Sequence, residues 1–199
     1  MNFTLIDSNN EIVSLVSAPS EEMLALNTPQ GVTTVSGQPP SLGYYRQGDE
    51  WISKGEQPSD HHAWNVITKQ WDDTKTLAIA QEEQWTIVKA ARDAVINGGL
   101  SWRDSSNTTR VFDTDEISQG RISGAFSLAA YSLANNLPFS KTWKLADNTT
   151  VDLSAVDIIS VGASLAQMVQ QAINTGETLR LQINQATTIP EVESIVWHT

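Results

Sequence analysis

The chain has 199 residues, 40% of them hydrophobic, with a formal net charge of -11 and no cysteine. That is enough apolar material for a packed core, and the missing thiols exclude disulfides, thiolate metal sites and cysteine nucleophiles. Neither half has a basic cluster, which argues against nucleic acid, since Lys and Arg neutralising phosphate dominate that affinity. The opening MNFTLIDSNNEIV lacks the basic and apolar regions of a signal peptide. No apolar run approaches the roughly 20 residues of a bilayer span. These features predict a soluble protein made in the cytoplasm, without membrane insertion.

Residues 1–76 read as β-rich. Phe3 to Asp7 and Ile12 to Ser17 flank Ser8-Asn9-Asn10, a turn signal. Ser20 suits the cap of a short helix over Glu21 to Leu26, and Val32 to Ser36 reads as a strand. From Gly37 to Asp60 the pieces GQPPSLGYY, QGDEW and KGEQPSD predict loop punctuated by short extended segments. His61 to Ile67 and Gln70 to Asp73 form a hairpin pattern about Thr68-Lys69, with Trp64 and Trp71 as packing partners. With Trp51, Tyr44 and Tyr45 these rings are dense for so small a region. They suit either an aromatic core or a sugar- or partner-binding platform.

A polar segment, Asp72-Asp73-Thr74-Lys75-Thr76, predicts a boundary between domains 1–76 and 77–199. Leu77 to Asn97 has helical periodicity, with Ile87, Val88, Ala91 and Val95 as its apolar stripe, and Asn97-Gly98-Gly99 ends it. Leu100–Trp102 and Arg110–Phe112 read as short strands around a polar loop. Asp113 and Glu116 match a capping box for a helix reaching about Asn135, with Ile122, Phe126, Ala129 and Leu133 as its stripe. Gly120 and Gly124, four apart, suit a close helix contact. Trp143-Lys144-Leu145 and Thr150 to Leu153 flank Ala146-Asp147-Asn148-Thr149, a hairpin signal.

The longest helical pattern runs from Ser154 to Ala186, opened by a Ser154/Asp157 capping box. Ser160, Ser164, Gln167, Gln171 and Asn174 make a narrow polar face. Val156, Ile159, Ala163 and Ala166 lie on one side of it, and Val161, Leu165, Met168 and Ala172 on another. An apolar arc that wide predicts a central helix covered by several neighbours, with Gly176 as its weak point. Thr188, Pro190 and Glu191 suit the first turn of a last helix. The fold class is α+β: a small β-rich amino-terminal domain, then a mainly helical domain with one or two short hairpins.

No nucleophile, phosphate-loop or zinc-protease motif is present in the sequence. His61-His62 on a strand point to opposite faces and read as a polar loop edge rather than a chelating pair. Asp113-Thr114-Asp115-Glu116 lacks the spacing of a calcium loop and reads as helix-terminal acid. No catalytic residue, metal site or cofactor is assigned, and the protein is read as a non-enzyme.

Four blocks carry a resemblance: EEQWTIVKAARDAVINGGLSW, VFDTDEISQGRISGAF, WKLADNTTVDLSAVD and LQINQATTIPEVESIVW. They resemble, in order, a domain of unknown function found in tail proteins of tailed bacteriophages, generally labelled tail-fibre or fibre-assembly proteins. Phe112, Asp115, Gln119 and Arg121 mark the second block. HHAWNVITKQW is similar in style to the hairpin that precedes that domain. The resemblance implies a structural adaptor or accessory component of the fibre or baseplate, involved in host adsorption and located in the virion tail after assembly in the host cytoplasm. Its partners would be tail-fibre or baseplate proteins, with homo-oligomerisation in the assembled tail left open. An assembly chaperone that leaves the particle is the alternative, and a host-polysaccharide hydrolase is a third. On this reading residues 1–76 form a docking domain anchored by Trp51, Trp64 and Trp71.

Overall fold

A computed structural model describes residues 1–198. The chain divides into two compact units, Met1–Lys75 and Thr76–Thr199. Only Thr74 and Lys75 stand between the last strand of the first unit, which takes in Asp72 and Asp73, and Thr76, which caps the next helix.

The first unit is built from hairpins. β1 (Asn2–Ile6) is the middle strand of an antiparallel sheet, between β2 (Ile12–Ser17) and β3 (Thr33–Ser36). β1 buries Phe3, Thr4, Leu5 and Ile6, as a strand with neighbours on both sides should. α1 (Glu21–Asn27) starts at Ser20, whose side chain accepts from the Met23 N–H, and buries only Leu24. The stretch expected to be mostly loop contains a second hairpin, β4 (Tyr44–Gln47) with β5 (Glu50–Ser53). The third, β6 (His62–Asn65) with β7 (Gln70–Asp73), pairs Trp64 directly opposite Trp71. Their rings meet edge to face with centroids 5.5 Å apart, a favoured aromatic geometry.

The second unit begins with α2 (Leu77–Asn97) and a hairpin of β8 (Leu100–Arg103) and β9 (Thr109–Phe112). α3 (Glu116–Ala134) and a hairpin of β10 (Ser140–Lys144) and β11 (Thr150–Ser154) follow. α4 (Ala155–Gln185) and α5 (Ile189–Ser194) complete it. The expected capping box at Ser154/Asp157 is formed, and the last helix, whose first turn was expected at Thr188 to Glu191, has a capping box of the same kind at Thr188/Glu191. α4 passes through Gly176 without a break; that glycine is buried against the Arg92 side chain, 3.3 Å from where a Cβ would stand.

Several expected faces turn out rotated. In α3 the buried positions are Ile122, Ala125, Ala129 and Ser132, not Phe126 and Leu133, which are exposed. The two hairpins explain this: Trp102, Phe112 and Trp143 already fill the space beside α3, with centroids about 6 Å apart. Beyond Ile122 the inward positions hold only small side chains, Ala125, Ala129 and Ser132, and the bulk of Phe126 and Leu133 lies on the flank. The cap of α3 is Asp115, which accepts from the Ile117 and Ser118 N–H groups, rather than Asp113 with Glu116. Gly120 and Gly124 face open space, and the close contact falls instead on Gly162 of α4, where an added Cβ would lie 2.6 Å from Phe126 Cδ2. In α2, Ile87 is exposed, while Gln84 and Trp85 are buried. Gln84 is satisfied there by donating to the Ile195 carbonyl at 2.6 Å.

Two apolar clusters result. One joins Leu100, Phe112, Trp143 and Leu153 of the hairpins to Ile122 of α3 and Ile158, Val161 and Leu165 of α4. The other joins Ala80, Trp85 and Val88 of α2 to Ile183 of α4 and Val192 of α5. α4 serves both.

Candidate functional site

In the first unit the chemistry converges on Glu11. Asp7 Oδ1 accepts from the N–H groups of Asn9 and Glu11, and Asn10 takes a left-handed φ of 63°, which fixes the turn. The Glu11 side chain, buried, then accepts from Trp64 Nε1 at 2.8 Å and from Lys69 Nζ at 2.7 Å, and Lys54 Nζ stands 2.6 Å from its other oxygen. One carboxylate thus ties three hairpins together. Burial pushes the Glu11 carboxyl up, but the Lys54 and Lys69 ammoniums and the Trp64 indole outweigh it, and the group lies below its ordinary value of 4.5.

This hub uses the aromatic residues singled out as partner anchors. Trp64 bonds Glu11, lies 5.3 Å under Lys54 and packs tilted against Tyr45. Trp71 donates its indole N–H to the Lys54 carbonyl at 2.9 Å. Both are half-buried, and their polar handles point inward. Trp51 is set apart from them: it is half-buried under the Arg46 guanidinium, 5.0 Å away. His62 Nδ1 shares a hydrogen bond with Ser59 Oγ at 2.8 Å in the turn before β6. Among the described residues no group of three or more His, Asp or Glu side chains is placed to hold a metal ion.

Among the described residues of the second unit, a concave surface lies on each flank of α3. The first is a groove between α3 and α4 of about 620 Å³, lined by Gly120, Ser123, Phe126, Gly162, Ala166 and Val169 among others. Its existence corrects the expectation that α4 is covered all round: Val156, Ala163 and Ala166 are exposed. From Ile122 to Ser140 and from Ile158 to Gly176 the sequence contains no charged residue. On a chain of net charge -11, both helices bordering the groove are uncharged over these spans. The polar face of α4 is partly used, since Ser160 Oγ accepts from Trp102 Nε1 at 3.0 Å.

The second concavity, about 670 Å³, lies between α3 and β10 and is lined by Arg121, Lys141, Lys144, Asp113, Leu128 and Asn148 among others. Of the residues that mark the block VFDTDEISQGRISGAF, three serve the fold. Phe112 is fully buried, Asp115 caps α3, and Gln119 donates to the Thr114 carbonyl at 2.7 Å. Arg121 is exposed at this second concavity.

A family model described as a domain of unknown function (DUF4376) matches residues 79–196. The chain belongs to this family. The DUF4376 match starts in α2 and ends just after α5, so it falls on the second unit and takes in both concavities. The Glu11 hub lies outside it. Comparison with the curated proteins and with the solved structures gave no match. No helix among the described residues is long and apolar enough to cross a membrane.

Sequence reasoning found the rings of the first unit but missed Glu11. A lone acidic residue after a turn carries no signal until the two lysines that neutralise it are brought together by separate hairpins. The groove was legible in part, as the second apolar side of α4. What misled was the premise that an apolar side must be covered within its own chain.

Proposed function

We propose that the protein is a structural component of a bacteriophage tail, an adaptor of the fibre or baseplate that takes part in host adsorption and resides in the virion tail. The tail setting rests on the likeness of the four sequence blocks to domains of tail proteins. The observation that carries an assembly role is the uncharged α3–α4 groove, because exposed apolar concavities of this kind mark protein-interaction sites. Its occupant is an apolar-faced segment of a fibre or baseplate protein, inserted against Phe126, Ala166 and Val169. An uncharged wall imposes no desolvation of ions on such a segment, whereas the acidic remainder of the chain would. On this reading docking belongs to the second unit. Trp64 and Trp71 serve the interior of the first, and Trp51 is the ring there left for a secondary contact.

The test is mass spectrometry of purified particles made with the native chain and with Ala166→Glu. Stoichiometric presence of the native chain is expected, with incorporation of the variant reduced about 100-fold or more, because the substitution buries an unpaired carboxylate. Absence of the native chain from particles would replace the adaptor by a chaperone that departs. Equal incorporation of the variant would remove the groove from the interface. Self-association of the native chain, abolished by the same substitution, would give the groove to a second copy instead.

A further inference from the structure

We propose that the concavity between α3 and β10 binds an acidic sugar, a ligand carrying both an anionic group and several hydroxyls. This goes beyond the tail reading and does not depend on it. Only 12 of the 199 residues are Lys or Arg, against 23 acidic ones, yet Arg121, Lys141 and Lys144 line this one surface. Elsewhere cations are engaged: Lys54 and Lys69 with Glu11, Arg92 with Asp93, Arg110 with Asp104. Arg121 and Lys144 form no ion pair among the described residues, and Lys141 lies 5.8 Å over the Trp143 ring. On a chain of net charge -11, the lining itself carries three cations against one carboxylate, with the nearby Asp115 and Asp152 carboxylates already bonded by lining Ser118 and Thr142, and such an excess of cations draws anions to it.

The elements fix this arrangement. Arg121 stands in the second turn of α3, whose start is set by the Asp115 cap. Lys141 and Lys144 flank buried Trp143 on β10, held in register by pairing with Leu153 and Thr150 of β11. Ala125, Leu128 and Leu145 supply apolar wall between the charges. Asp113 adds the feature that selects among anions. Its carboxylate repels a bare phosphate but accepts from hydroxyls, and Asn148, also in the lining, can both donate and accept. A neutral sugar would leave the cations unmatched and a plain anion would leave Asp113 unmatched. An acidic sugar matches both, with the C–H face of its ring on Leu128. The volume lies within the range of small-molecule sites, roughly 300–1,000 Å³.

The test is a ¹⁵N–¹H NMR titration of the full chain with glucuronate, glucose 6-phosphate, glucose and inorganic phosphate. At least one acidic sugar is expected to bind with Kd of about 1 mM, shifting amides of Ser118–Ala125 and Lys141–Leu145. The tighter of the two identifies carboxylate or phosphate as the preferred anion. Glucose and inorganic phosphate should bind about 10-fold more weakly or less, and affinity should fall with added salt. Arg121→Ala and Lys144→Ala, both at exposed positions, should each weaken binding by about 5- to 10-fold, and Arg103→Ala, remote from the pocket, should not. Inorganic phosphate binding as tightly as the acidic sugars would overturn the proposal by reducing the site to a patch of charge. So would shifts that are absent, or unchanged in Arg121→Ala and Lys144→Ala.

Discussion

The two units solve the same problem with opposite materials. The first closes three hairpins around a buried carboxylate, two lysines and a set of tryptophan and tyrosine rings. The second closes helices and hairpins mainly around aliphatic and aromatic side chains, with no charged group among its described buried residues. Small sheets cannot bury much apolar area, so a region of this size needs specific polar links or large rings to hold its parts in place. Links of that kind are directional and intolerant of loss. A wide apolar core is tolerant in geometry but penalises any cavity.

The largest expected effect breaks the second unit and spares the first. Phe112→Ala should cost about 3–5 kcal/mol, because Phe112 is fully buried between Trp102 and Trp143. Denaturation followed through indole N–H signals should show Trp102 melting early while Trp64 and Trp71 hold. Simultaneous loss of all three would mean that the units are not energetically distinct. Next comes the converse. Glu11→Ala leaves two largely buried ammoniums facing each other and should destabilise the first unit by about 3 kcal/mol, read from the same signals in reverse order.

Acid sharpens the contrast. The Glu11 carboxyl is depressed in the folded state, so its contribution is complete above the unfolded value near 4.5 and is lost as pH falls through the lower folded value. Proton binding to the unfolded form is what withdraws it. The first unit should therefore lose stability below about pH 4.5, and Glu11→Gln should flatten that slope in its own unit. An unchanged slope in the variant would show that other carboxylates set the acid response. Asp104 follows the same sign in the second unit. The Ser106 hydroxyl and then the Thr108 N–H hold its carboxyl down at about 2, so it stays charged across this range.

Smaller effects test the long helix. Ser154→Ala removes an N-cap hydroxyl bonded to the Asp157 N–H and should cost about 1 kcal/mol. Gln167→Ala, on the exposed polar face, should change stability by no more than about 0.5 kcal/mol. A larger loss there would mean that this face is covered in solution.

What the sequence disclosed follows the range of each interaction. The capping box at Ser154, the first turn of the last helix at Thr188, the turn at Ser8-Asn9-Asn10 and the Trp64/Trp71 pairing are local or nearly so, and all were legible. The inward face of α3 was not, because periodicity ranks Phe126 and Leu133 above Ala125 and Ser132 by hydrophobicity. Which residues turn inward was decided by rings arriving from two hairpins on either side of α3 in sequence. The β4–β5 hairpin was obscured by the glycines and prolines around it. The cationic pocket was invisible for a similar reason, since Arg121 and Lys144 are 23 positions apart and meet only through the register of β10 beside α3.

The continuity of α4 gives the second unit an internal grain. At 31 residues, and about 1.5 Å per residue, it is a rod of about 46 Å. One half is sealed by the hairpins and α3, the other by α2 and α5. Between them lies Ile173-Asn174-Thr175-Gly176, a run of weak helix formers. Amide protons of the two halves are then protected by different openings, one that dissolves the hairpin cluster and one that only releases α2 and α5. A single uninterrupted helix thus reports on two cooperative units, with the carboxy-terminal half free to exchange while the walls of the groove and of the cationic pocket stay closed.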